Sequence, residues 1–140
     1  MRVVADTNVI VSALLWVGIP HGILVAAEGA RITLRTSPAL LEELEGVLRR
    51  PKFASRLREL QVDAGELTVR YARLAQVVLP RRVIRLVDKD PADDEVLACA
   101  LASRAKFIIS GDTDLLQMRA YRHIPILSPT AFVRQILSRL

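Results

Sequence analysis

The stretch Phe107-Ile108-Ile109-Ser110-Gly111-Asp112-Thr113-Asp114 is an apolar run that ends in two closely spaced aspartates. The apolar residues predict a short buried strand, the clearest in the chain, with the aspartates at its carboxyl end. Near the N-terminus, Val3-Val4-Ala5-Asp6 repeats this pattern. A carboxylate at the end of a buried strand needs a cation, because removing an unpaired charge from water costs several kcal/mol. Carboxylates from distant parts of one small chain therefore indicate a shared divalent metal.

Strands and helices alternate along the rest of the chain. Strands are predicted at Arg2–Ala5, Ile32–Leu34, Val77–Leu79, Val83–Val87, Phe107–Ser110 and Ile126–Leu127. Helices are predicted at Val9–Leu15, Pro20–Glu28, Pro38–Arg50, Ala54–Leu60, Ala64–Ala75, Pro91–Arg104 and Asp114–Met118, and a last one begins after Ser128-Pro129. This alternation predicts an α/β protein, a three-layer α/β/α sandwich with a mainly parallel central sheet. Ligands gather at the carboxyl ends of parallel strands, which places Asp6 and Asp112 at the same edge.

The bulk composition is that of one globular domain, which we expect to span residues 1–140. Apolar residues make up 51% of the chain and the mean hydropathy is +0.30, values that exclude a disordered chain. No apolar run approaches the roughly 20 residues that cross a bilayer. The N-terminus is interrupted by Asp6 and Asn8 and does not have the pattern of a signal peptide. We therefore expect a cytoplasmic protein without a membrane partner.

Arginine is concentrated between residues 31 and 85 of a chain whose net charge is +5. Such a surface suits a phosphate backbone, because the planar guanidinium makes bidentate contacts with phosphate oxygens. An equally good interpretation is a solvated face of ordinary ion pairs, with partners among Glu42, Glu45, Glu59 and Glu66. The chain has only two histidines and one cysteine, too few for the usual ligands of zinc. A hard metal with oxygen ligands fits this composition better.

Two glutamates on the helix after Ser37 are candidate metal ligands. The apolar residues of this helix form one stripe, made of Leu40, Leu41, Leu44, Val47 and Leu48. At about 100° per residue, Glu42 lies opposite the stripe and is expected to be solvated. Glu43 and Glu45 flank the stripe on its two borders. Helical geometry alone does not choose between Glu43 and Glu45.

Helix capping offers a structural explanation for several aspartates. Asp90-Pro91-Ala92-Asp93 has the pattern of an N-cap with an acidic residue three positions later, which assigns Asp90 and Asp93 to the helix start. Asp94 is one step further on and is not explained by that cap, although an acidic residue in a first turn also favours the helix dipole. Asp112 could likewise be the N-cap of the short helix that follows it.

Five stretches of the chain, in the right order and spacing, carry a family resemblance. They are Val3–Leu14, Ser37–Phe53, Asp93–Ala100, Phe107–Leu116 and Ile126–Pro129. In these stretches the chain resembles PIN-domain ribonucleases, especially the VapC-like bacterial and archaeal PIN proteins classed as toxins of toxin–antitoxin pairs. They are distributed over nearly the whole chain, from residue 3 to residue 129. The middle, residues 54–82, is less diagnostic and leaves the choice of substrate open.

The resemblance implies catalytic residues that also bind a divalent metal. Asp6 matches the family's first-strand aspartate, and Glu43 matches its helical glutamate, which favours Glu43 over the alternative on the same helix. Asp94 matches the aspartate that opens the later helix, and Asp112 the one after the following strand. Asp114 matches a further acidic position and is expected as an additional metal ligand. Polar side chains that contact water or the metal are expected at Ser110 and at Thr7 or Asn8.

The activity implied by the resemblance is a metal-dependent endoribonuclease. Its cofactor is expected to be Mg²⁺ or Mn²⁺, since clustered carboxylates attract these ions and the ions bind substrate phosphates and activate water. RNA is then the substrate. A homodimer and an antitoxin protein whose chain enters the site are the other partners that the resemblance implies.

Two other functions are compatible with parts of the pattern. Asp112-Thr113-Asp114 after a strand also occurs in phosphatases and in topoisomerase-primase-like domains. An aspartyl-phosphate phosphatase needs an aspartate two residues after Asp6, where this chain has Asn8, and the primase-like pattern needs its glutamate on a strand, whereas Glu43 is on a helix. A non-catalytic RNA-binding or partner-binding module on the same fold is the remaining alternative, because fold does not imply function.

Overall fold

The computed structural model describes residues 1–81 and 91–140. Six strands of these residues form one sheet in the order β3-β2-β1-β4-β6-β5. Neighbouring strands from β3 to β6 are parallel, and β5 pairs antiparallel with β6 at the edge. The predicted α/β class with a mainly parallel sheet is confirmed. The strands are β1 (Arg2–Ala5), β2 (Thr33–Thr36), β3 (Gln76–Val77), β4 (Phe107–Ile109), β5 (Ala120–Tyr121) and β6 (Ile124–Leu127).

Eight α-helices connect and flank these strands within the described residues. They are α1 (Thr7–Leu15), α2 (Ile19–Glu28), α3 (Pro38–Leu48), α4 (Ala54–Leu60), α5 (Ala64–Leu74), α6 (Pro91–Ser103), α7 (Thr113–Met118) and α8 (Pro129–Gln135). Short 3₁₀ turns lie at Pro51–Phe53 and Leu137–Arg139. The predicted strand Val83–Val87 and the predicted N-cap Asp90 fall outside the described residues.

The helices α1 and α2 follow each other closely and are largely apolar. No single helix of the described residues is long and apolar enough to cross a membrane. The pair α1 and α2 would pass that test of length and composition together, but the two helices meet at a bend of 87°.

Both faces of the sheet are covered, as a three-layer sandwich requires. Along β1, Val3 and Ala5 point into one hydrophobic cluster, which is filled mainly by α1, α2, α3, α5 and α8. Val4, between them, points into a second cluster with residues of α6, including Cys99. This alternation follows from the two-residue period of a strand. Because both neighbours of β1 are also strands, its end is held at the centre of the sheet.

The register of the central strands brings two polar strand ends together. Val4 lies beside Ile108 and Ala5 beside Ile109 across the parallel pair β1–β4. The N–H of Asp6 continues this ladder and donates to the carbonyl oxygen of Ile109 at 2.9 Å. The first residue after β1 and the first residues after β4 are therefore neighbours, as the sequence predicts.

Candidate metal centre

Asp6 lies at the junction of β1 and α1 and is only 7% exposed. Its Oδ1 accepts the N–H of Val9 at 3.0 Å as the N-cap of α1, and its Oδ2 accepts the hydroxyl of Ser110. Burial raises the pKa of Asp6 above its usual value. Hydrogen bonds from Ser110, Val9 and Gly111 lower this pKa in part, and the charge of Asp112 raises it further. A buried carboxylate of this kind is stabilised by a cation.

Ser110 ties the two strand ends together. Its side chain is fully buried, donates to Asp6, and accepts the N–H of Asp112 at 2.9 Å. One hydroxyl thus fixes the position of the buried carboxylate relative to the loop after β4. Hydrogen bonds of this kind, from a neighbour that does not itself bind the metal, orient metal-binding side chains.

Asp112 begins α7 and also lines a pocket with Asp6. Its Oδ1 accepts the N–H groups of Asp114 at 2.8 Å and Leu115 at 3.2 Å, which makes it the N-cap of α7. The side chain of Asp112 therefore caps α7 and also lines the pocket, because the cap uses only one of its two carboxylate oxygens. The capping interpretation left open by the sequence is compatible with a role in the pocket.

Glu43 reaches the same pocket from α3. Its Oε2 accepts the hydroxyl of Thr7 at 2.8 Å, so the first residue of α1 holds the glutamate in place. Glu45, the alternative on this helix, forms an ion pair with Arg49 at 3.1 Å and its side chain is 40% exposed. The two glutamates are thus directed to different surroundings, and only Glu43 lies beside Asp6.

Two buried aspartates lie in the first turn of α6, and only one of them lines the pocket. Asp93 is 5% exposed and lines the pocket together with Val96, one helical turn later. Asp94 is 2% exposed and is not among the described residues that line this pocket. Sequence reasoning assigned Asp93 to the helix start and did not place it in the site.

The sequence contains only a weak indication that Asp93 lines the pocket. It lies three residues before Val96, so both fall on one side of the helix. However, α6 is buried on nearly every side, and a helix without a solvated stripe gives no periodicity that would choose between adjacent aspartates.

The pocket itself is small and lined mainly by polar atoms. Its cavity is about 30 Å³, lined by Asp6, Thr7, Asn8, Glu43, Asp93, Val96 and Asp112. That space admits an ion or one to two water molecules. Asp114 lies at its exposed rim, and ligand oxygens of Asp93, Asp112 and Asp114 are all within 4.8 Å of one another.

This donor set fits a hard divalent cation. It consists of carboxylate oxygens without nitrogen or sulfur, as Mg²⁺ and Mn²⁺ prefer. Two oxygens bound to one Mg²⁺ lie about 3 to 4 Å apart, so oxygens within 4.8 Å of one another need only a small inward movement, which the exposed Asp114 can make.

A family model of the PIN domain matches residues 2–114 of this chain. The chain belongs to the PIN-domain family. PIN domains are generally nucleases, and they typically use divalent metal ions. The matched span of this PIN domain includes every acidic residue of the pocket and also Asp94 and Asp114. No curated protein matches the chain.

Proposed function

We propose that this PIN domain is a metal-dependent endoribonuclease that hydrolyses phosphodiester bonds in RNA. The observation that supports it best is the convergence of carboxylates from four separate parts of the chain on one pocket. They come from the end of β1, from α3, from the start of α6 and from the loop after β4. Four carboxylates so close together repel one another unless a cation lies among them.

The proposed division of roles follows the positions of the side chains. Asp6, Asp93 and Asp112 hold one or two Mg²⁺ or Mn²⁺ ions, and Asp114 adds an oxygen at the rim. When bound, the metal supplies positive charge for the scissile phosphate and lowers the pKa of water. Glu43, held by Thr7, orients the attacking water and accepts its proton. Ser110 keeps the Asp6 carboxylate aligned through the reaction.

Cleavage of end-labelled single-stranded RNA tests the proposal. Wild-type protein is incubated with EDTA, Mg²⁺ or Mn²⁺ beside Asp6→Asn, which keeps the size of the side chain and removes its charge. We expect cleavage only by the wild type with metal, and a loss of more than about 100-fold in the variant. Even removal of a hydrogen-bond partner of a metal ligand lowers activity by about 10 to 100-fold. Full activity of a folded Asp6→Asn protein would refute the assignment, and RNA binding without products in every reaction would favour a non-catalytic binding module.

The ligand on α6 is decided by a paired substitution. The family resemblance assigns the role to Asp94, whereas the lining of the pocket supports Asp93. Asp93→Asn and Asp94→Asn are therefore compared in Mn²⁺ titrations and in cleavage. We propose that Asp93→Asn weakens metal binding more strongly. A larger loss in Asp94→Asn with unchanged binding by Asp93→Asn would return the role to Asp94.

We further propose that the protein acts in the cytoplasm as a homodimeric toxin that is inhibited by a cognate antitoxin protein. Support for this role comes from the resemblance to the VapC-like subgroup. Induced expression in a bacterial host tests it. Growth arrest by the wild type, and normal growth at equal protein levels with Asp6→Asn, is the expected result. Normal growth with active wild-type enzyme would leave a nuclease without a toxin role.

A further inference from the structure

The helix α1 carries distinct chemical features at its two ends. Its N-terminus is capped by Asp6 in the acidic pocket, and its C-terminus is followed by Trp16, the only tryptophan of the chain. Trp16 is 46% exposed, and Val17 beside it is 89% exposed. A helix of nine residues is about 13 Å long, so the pocket and the indole are separated by a few nucleotides of extended chain.

One partly exposed side of α1 connects these two ends. Asn8 and Ser12 are spaced four residues apart, which places them along one side of the helix. Trp16 follows the helix four residues after Ser12, as its C-cap with extended backbone. Asn8 is exposed and lines the acidic pocket, and Ser12 is partly exposed. The remaining residues of α1 are buried, apart from the half-buried Leu14. The open side of α1 is thus polar between the pocket and the indole.

The indole is held in place by the 3₁₀ turn at Pro51–Phe53. The rings of Trp16 and Phe53 pack at a tilt of 58° with their centroids 5.9 Å apart. The ammonium of Lys52 lies 5.0 Å from the centre of the Phe53 ring. Arg56 donates from Nε to the carbonyl oxygen of Leu15 at 2.7 Å, which fixes the end of α1 beside this pair. An aromatic surface and a cation are therefore presented together.

The surroundings of Trp16 favour an anionic occupant. The ten residues from Arg49 to Arg58 include five basic residues and no acidic one. Arg49 pairs with Glu45 and Arg56 with Glu59, while Arg50, Lys52 and Arg58 are exposed. A second copy of the chain docked on this surface would bring like charges together. Single-stranded RNA supplies both the negative charge and the flat bases that such a surface binds.

We propose that single-stranded RNA stacks a base on Trp16 while its backbone follows Asn8 and Ser12 into the acidic pocket. This inference rests on the proposed function, since it treats RNA as the substrate of that pocket. We call this surface the α1 track, and it consists of Asn8, Ser12, Trp16, Lys52 and Phe53. Stacking at one end of the α1 track holds a phosphate over the pocket at a distance set by α1.

Fluorescence of Trp16 tests the proposal directly, because no other tryptophan contributes. Wild-type protein in EDTA, where it does not cleave, is titrated with a ten-nucleotide single-stranded RNA. A control strand of equal length has abasic sites at every position and keeps the phosphates. We expect quenching by the RNA and little by the abasic strand. Equal responses to both, or a signal that changes only with protein dilution, would overturn the proposal, the latter in favour of a second copy.

Substitutions separate this proposal from the proposed function. Trp16→Ala is expected to weaken binding and raise KM for the RNA by roughly tenfold, whereas Trp16→Phe restores most of both. Hydrolysis of bis-p-nitrophenyl phosphate, which is too small to reach Trp16, should not change. Val25→Ala on α2, where the valine is 51% exposed, is the matched control. Wild-type cleavage of RNA by Trp16→Ala would refute the α1 track and leave the nuclease intact.

The same measurements also show whether the proposed nuclease fails while RNA binding is retained. If no protein hydrolyses either substrate but RNA still quenches Trp16, the proposed nuclease fails and the α1 track remains as an RNA-binding surface. Lys52→Gln adds a further readout, because removal of one phosphate contact lowers the dependence of log K on log salt by about 0.7. An unchanged salt dependence would place Lys52 outside the α1 track.

Discussion

At Asp6, one carboxylate begins a helix and also enters the acidic pocket. Its Oδ1 satisfies an N–H of the first turn of α1, and its Oδ2 receives the hydroxyl of Ser110. These contacts stabilise the ionised form, yet burial has the larger effect and raises the pKa of Asp6. The residue is therefore placed where its charge favours metal binding and disfavours the metal-free fold.

Asp6→Asn is expected to stabilise the metal-free protein at neutral pH. Well below pH 3.8, the usual pKa of this carboxyl, it is protonated in both folded and unfolded states and adds no pH dependence. Above that value the unfolded chain ionises first, and the folded state loses stability as pH rises to its own higher pKa. Asparagine does not ionise. Urea denaturation in EDTA should give a higher midpoint for Asp6→Asn at pH 7 and a smaller difference at pH 4.5. An equal or lower midpoint at pH 7 would contradict this account.

Ser110→Ala tests the link between the strand ends. The substitution removes the donor to Asp6 and leaves the N–H of Asp112 without its acceptor. We expect a loss of about 1 to 3 kcal/mol in the free energy of unfolding and a Mn²⁺ affinity lower by about 10 to 100-fold. Thermal unfolding and Mn²⁺ titration measure the two effects. Ser138→Ala, at an exposed position, is the control and should change neither.

At the scale of elements, local signals predicted most helix starts. The helices predicted to begin after Ser37 and after Ser128 start at the following prolines, and each serine is an N-cap that accepts the N–H three residues later. The antiparallel strand β5 was missed because two residues are too few to show an alternating pattern. The strand β2 was placed early, at Ile32–Leu34, because its later residues are polar, although Thr36 is buried in the sheet.

Substitutions of Asp112, the N-cap of α7, separate the effect of its charge from its effect on helix stability. Asparagine caps helices as well as aspartate does, whereas alanine does not. Asp112→Asn should therefore keep the stability of the wild type and lose cleavage. Asp112→Ala should lose cleavage and also about 1 kcal/mol of stability.

Asp63→Ala is the matched control for this comparison. Asp63 caps α5, a helix with no residue in the acidic pocket, so its substitution should lower stability without abolishing cleavage. Urea denaturation and RNA cleavage are measured on all three variants. Full cleavage by Asp112→Asn would show that Asp112 has only the structural role.

At the scale of the whole molecule, the alternation of strands and helices was sufficient to predict the layered fold. It also predicted that Asp6 and the loop after β4 share an edge, since that follows from parallel strands. That Asp93 lines the pocket could not be predicted from the sequence, because it depends on the rotation of α6 about its axis. That rotation is set by packing between the sheet and the helix and leaves no periodic pattern in a segment buried on nearly all sides. The metal-binding role of Asp94 stays a prediction. That one domain spans residues 1–140 stays a prediction.

A metal that binds only the folded protein should stabilise the whole molecule. Binding at 100 times the dissociation constant adds about 2.7 kcal/mol to the free energy of unfolding. Because protons compete for Asp6, whose pKa is raised, the rise in melting temperature with Mg²⁺ or Mn²⁺ should shrink as pH falls. Melting curves with metal and with EDTA between pH 5 and 8 measure it. Asp6→Asn should show little rise at any pH, and a rise equal to that of the wild type would place the ion elsewhere.

The double use of Asp6 and Asp112 as helix caps restricts how descendants of this gene can lose the proposed nuclease activity. Most replacements at either position damage the fold together with the site, and selection against unstable proteins removes them. Asparagine is the isosteric exception, since it preserves the cap and abolishes the charge. A lineage that kept the protein for binding alone would therefore be expected to carry an amide at one of these two positions. An amide at position 6 or 112 would then indicate that its ancestor was a nuclease.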